Sequence, residues 1–135
     1  MSESFEYRFE RLAALWLETY EEIGKTLRRL PEPISLPPLA HNDDTIDRLI
    51  EAAATAAEIL YDRAETSDDP APYQMLANAL LLWLAAHDVF GVLLAETTSW
   101  RIEALLLTLR HATGQAVIAA QWLRQGPPMP PHSMN

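Results

Sequence analysis

Apolar side chains recur every three or four residues along most of the chain, the spacing of one face of an α-helix, and no useful stretch alternates as a strand would. The first run, Phe5, Phe9, Leu12, Trp16, Thr19, Ile23, Leu27 and Leu30, predicts a helix over about residues 4–30. Glu3, Glu6 and Glu10 near its start and Lys25, Arg28 and Arg29 near its end complement the helix dipole, and Pro31 stops it. A second run, Ile46, Leu49, Ile50, Ala53, Ala57, Leu60 and Ala64, predicts a helix over 43–66 with Asn42 or Asp44 as N-cap. Its alanine-rich middle calls for a closely approaching neighbour. A third helix is expected over 70–96, capped by Asp69 with Pro70 at its first position. A fourth is expected over 99–125, ended by Gly126–Pro127. The turn between the last two is short, so they should pack as an antiparallel hairpin.

Residues 31–42, PEPISLPPLAHN, interrupt this pattern with four prolines and should run extended. Twelve such residues reach roughly 40 Å, enough to travel the length of a bundle, so the first two helices need not be antiparallel neighbours. Ile34, Leu36 and Leu39 alternate along this connector and are expected to pack on the core. The Pro-rich residues 127–135 read as a disordered tail. The expectation is therefore an all-α four-helix bundle, one domain over residues 1–126, with a Pro-rich tail.

The third helix changes the picture. Over Met75–Ala95 only Asn78, His87, Asp88 and Gly91 interrupt an apolar run of membrane-spanning length. Those polar groups would need partners in lipid, and the flanks carry no Lys/Arg asymmetry, so a helix buried on nearly every side is the favoured reading. A bundle helix normally keeps one polar face, and this one has almost none. Leu81, Leu82, Trp83, Val92 and Leu93 are accordingly the candidate interface for a second copy or another protein. His87 lies on the row Leu76, Leu80, Trp83, His87, Phe90, Leu94, which makes Trp83, His87 and Phe90 a candidate pocket. The plainer reading is a neutral core histidine satisfied by one hydrogen bond. Asp88 falls about opposite position 107 across the hairpin, with Arg110 one turn away, a candidate buried pair that would fix register.

Charge and composition narrow the functions. The net charge is −9, and nine carboxylates in residues 43–69 face only Arg48 and Arg63, whereas residues 73–125 balance. An exposed nucleic-acid-binding surface would need a basic patch, so direct nucleic-acid binding is not expected. The acidic second helix could imitate a phosphate backbone, but a solvated face that keeps the chain soluble is the favoured reading. There is no cysteine, and the charged start MSESFEYRFERL lacks the apolar stretch of a signal peptide, which points to the cytoplasm. No Glu-x-x-His, His-Glu-x-x-His, Gly-x-Ser-x-Gly or Gly-rich phosphate loop occurs, so no catalytic, cofactor or metal-binding residue is assigned. The leading expectation is a non-enzymatic protein–protein interaction module, a small accessory or regulatory subunit acting through the third and fourth helices. The alternatives are a small ligand-binding protein or enzyme with a pocket at His87, and an acidic nucleic-acid mimic.

Overall fold

A computed structural model describes residues 5–39, 45–96 and 98–126. The described residues form four helices, α1 (Phe5–Leu27), α2 (Thr45–Thr66), α3 (Ala71–Ala95) and α4 (Ser99–Gln125). The all-α bundle expected from periodicity is what forms. The expected caps Asn42 and Asp44 and the tail 127–135 lie outside the described residues.

Helix ends follow local chemistry, with two corrections. α4 stops where expected: Gly126 adopts φ +78 and ψ −177, a region open essentially to glycine, and its N–H reaches the Trp122 carbonyl at 2.7 Å. α1 loses α-geometry at Leu27 rather than continuing to Leu30. Arg29 and Leu30 close tighter bonds to Thr26 and Leu27, and Ile34 N–H returns to the Leu27 carbonyl at 3.2 Å. Leu30 is nonetheless buried, so its place in the apolar pattern is kept by the turn. The second correction is Asp69. It does not cap α3; Pro70 holds that position without a side-chain cap. The Asp69 carboxylate instead accepts the indole N–H of Trp122 at 2.8 Å, tying the α2–α3 loop to the end of α4.

The order of contacts defines the topology. Trp16 meets Trp83 and Phe9 meets Phe90, so α1 runs antiparallel to α3. Arg8 meets Glu103 and Thr19 meets Thr113, so α1 runs parallel to α4. Short loops join α2 to α3 and α3 to α4, and Tyr61 bridges α2 to Asn78 of α3. Helices α1, α2 and α4 thus all run opposite to α3 and pack around it. That position explains the composition of α3: a helix with neighbours on three sides needs apolar residues around most of its girth.

Close packing there rests on small side chains. Ala53, Ala56 and Ala57 of α2, Ala77, Ala79 and Ala86 of α3, and Ala112, Ala116 and Ala119 of α4 are all buried, letting backbones approach. Larger residues fill the remaining space, with Ile23, Leu27, Leu49, Leu60, Leu76, Leu80, Leu105 and Leu109 inaccessible or nearly so. The α1–α3 contact is centred on two indoles stacked at 4.2 Å and 8°. Each donates to the other's backbone carbonyl, Trp16 Nε1 to Trp83 O at 3.1 Å and Trp83 Nε1 to Trp16 O at 2.8 Å. A helical carbonyl has a second lone pair, so these bonds do not compete with the helix ladder.

Helices α1 and α2 do not pack directly; extended residues between them fill the gap. Ile34 sits beside Leu27, Pro37 accepts from the Tyr20 hydroxyl, and Arg63 near the end of α2 donates to the Glu32 carbonyl at 2.7 Å. The segment therefore travels back along α1, with Leu36 buried and Ile34 and Leu39 half-buried. This is why α1 and α2 are parallel.

Burial pushes the Tyr20 pKa up from 10 to about 12. The folded state holds the phenol proton more tightly than the unfolded chain, so this contribution is whole below pH 10 and is lost as pH rises from 10 towards 12. Alkaline unfolding should steepen in that interval, and Tyr20→Phe should flatten it in melting curves taken at successive pH values.

Candidate interaction surface

Three helices around α3 leave one side open. With Trp83 pointing at α1, positions 81, 85, 88 and 92 fall on the opposite side of the helix at 3.6 residues per turn. Leu81 and Val92 are exposed there, at 43% and 47%, with Ala85 and Asp88 between them. On α4 a second outward stripe follows the same spacing: Trp100, Ala104, Leu107, His111 and Ile118. Trp100 is 64% exposed and Leu107 70% exposed, among the largest apolar exposures on the described surface.

Trp100 is exposed but held. The Arg101 guanidinium lies 4.7 Å from its ring centroid, and Arg101 also donates to the Glu96 carbonyl at 3.3 Å and pairs with its carboxylate at 3.5 Å. A cation over the indole face, tied to the end of α3, restricts the ring before anything binds it.

The interface expected from sequence is divided by this arrangement. Leu81 and Val92 do face outward. Leu82 is half-buried, and Trp83 and Leu93 are fully covered by the chain itself. The latter two face neighbouring helices, so no second protein is required to shield them. The sequence points to the fourth helix as part of the surface but not to these residues, because along the chain they are diluted by Arg101, Thr108 and Arg110, which face other directions.

The His87 expectations also change. Its side chain is 45% exposed, 5.7 Å from the Trp16 ring centroid, and Nδ1 lies 3.9 Å from the Asp88 carboxylate. It is neither a core histidine with a hydrogen bond nor enclosed with Trp83, which is wholly buried, and Phe90, which packs edge-on against Phe9 at 5.2 Å. The row it shares loses cover towards its end, where Leu94 is exposed. The Asp88–Arg110 pair does not form. Asp88 is 89% exposed on the open side of α3, whereas Arg110 points to the flank of α4 that faces α1.

Two grooves lie elsewhere. One, of about 580 Å³, runs between α1 and α4; the other, of about 470 Å³, separates the extended segment Ile34–Pro37 from α2. Neither is lined by His87. Among the described residues no three His, Asp or Glu side chains converge as metal ligands would. α3 is long and apolar enough to cross a membrane by length and composition. Protein-family models, curated proteins and solved structures offer no match to this chain.

Proposed function

We propose that the protein is a non-enzymatic helical interaction module of the cytoplasm that associates with a second copy of itself through the outer face of α3 and α4. The observation that carries the reading is the exposed Trp100–Leu107 stripe, with Trp100 already restrained by Arg101. Buried aromatic and arginine anchors dominate the energetics of protein interfaces, and restraint before binding lowers the entropic cost.

Charge supports a like partner on this face. Formal charge on this face is sparse: Asp88 is exposed on α3 and Glu96 is paired by Arg101. The α2 side carries most of the acidic excess and would repel its own copy. An isologous two-fold contact needs a self-compatible patch, and a largely apolar face with few charges suits that requirement better than the acidic α2 side.

Light scattering coupled to size exclusion at micromolar concentration tests this. The parent chain should run as a dimer or larger. Trp100→Glu together with Leu107→Glu should give a folded monomer of 15.2 kDa with an unchanged circular dichroism spectrum, because both side chains face solvent in the single chain. A parent chain that is itself a 15.2 kDa monomer overturns the reading.

A further inference from the structure

The groove between α1 and α4 has a different composition from the face just described. Thr19 and Thr113 bring the two helices together, their hydroxyls 3.2 Å apart, and the groove lies on the N-terminal side of that contact. Leu12 and Ile102 form the floor, with Leu15 and Leu106 half-buried at its walls. Arg8, Arg11 and Arg110 stand at the rim with Glu18 and Glu103.

Three of the chain's arginines thus surround one apolar trough in a protein of net charge −9. Arg8 is engaged by Glu103 at 3.3 Å, and Arg11 lies against the Tyr7 ring at 5.7 Å. Arg110 has no ion pair among the described residues. It is one helical turn beyond Leu106 and two beyond Ile102, so its guanidinium stands at one end of the apolar floor, roughly 12 Å along α4 from Ile102.

We infer that this groove binds a free anionic amphiphile of medium chain length, a carboxylate whose alkyl chain lies on Leu12, Leu15, Ile102 and Leu106 and whose head is held by Arg110. Its volume of about 580 Å³ falls within the range of small-molecule sites. A guanidinium matches a carboxylate through two parallel N–H donors, and its charge offsets the acidic field that would otherwise repel an anion. The site uses the flank of α4 opposite the open side of α3, so it stands or falls independently of self-association.

Calorimetric titration of the full chain with decanoate, below the concentration at which decanoate self-aggregates, is the test. Saturable binding is expected, about tenfold weaker in Arg110→Gln, the effect of losing one charge-assisted hydrogen bond. Arg110→Lys should recover part of the loss, and Leu106→Glu should abolish binding while the helical spectrum persists. Decanol should bind the parent at least tenfold more weakly than decanoate and should not distinguish parent from Arg110→Gln. Equal affinity for decanoate and decanol, or an unchanged affinity in Arg110→Gln, overturns the assignment. So does sedimentation with phosphatidylglycerol vesicles in a protein that does not bind dissolved decanoate, since that result identifies a membrane-surface contact instead.

Discussion

Trp83→Ala is expected to lower unfolding free energy by about 3–5 kcal/mol, the cost of removing a fully buried aromatic side chain. Trp83 is wholly inaccessible, stacks on Trp16, touches Tyr20 at 5.2 Å and donates to the Trp16 carbonyl. Truncation removes all of these at once and leaves the Trp16 indole without its stacking partner. A domain of this size has roughly 5–15 kcal/mol in total, so the variant should melt far below the parent. Trp83→Phe retains a ring and forfeits the N–H donor, and about 1–2 kcal/mol should be lost. Trp16→Phe should cost a similar amount. Because the two bonds are reciprocal within one stack, the double variant should lose less than the sum of the singles. Denaturant melts of the four proteins would show it. Strict additivity would mean that the rings act as separate fillers.

Overpacking is the second large effect. Ala116 is inaccessible on the buried face of α4, and leucine there must displace the neighbours packed against it. The expected loss is about 1–3 kcal/mol, because interiors at crystal-like density accept extra methylenes only through strain. Ala104→Leu, on the exposed outer face of the same helix, should shift stability by no more than about 0.5 kcal/mol. Thermal melts of the two variants side by side separate packing from helix propensity, since the substitution is the same in both.

The helices were legible because their start and stop chemistry is local. α4 ends at Gln125 because Gly126 can take a positive φ, which is visible in one residue and its neighbours. The place of α3 was not legible in the same way. Periodicity shows how much of a helix is apolar, but it does not count how many neighbours share that girth. With α1, α2 and α4 all against it, Trp83 and Leu93 find cover within the chain, whereas sequence reasoning sought that cover in another molecule. Asp69 failed as an expected cap for a related reason. Its competing partner, Trp122, is 53 residues away, beyond the reach of any local rule. The Trp16–Trp83 pair left a faint trace, since each indole sits on the apolar row of its own helix, but nothing in either row indicates that the two meet. The α1–α4 groove left none: Arg8, Arg11 and Arg110 look like ordinary solvated charges until the parallel packing of α1 and α4 brings them to one rim.

The returning segment after α1 also bears on how the chain is made. α2, α3 and α4 are joined by short loops and can pair as each leaves the ribosome. α1 is synthesised before its partners on α3 and α4. Trp83 follows Trp16 by 67 residues, roughly 3–13 s of synthesis at ordinary elongation rates. Through that interval the nascent chain carries an amphipathic helix whose apolar face is uncovered, and the extended segment behind it must still turn back along that helix. Of the four described helices, α1 therefore waits longest for its packing partners during synthesis and is the one most open to chaperones and proteases in that interval.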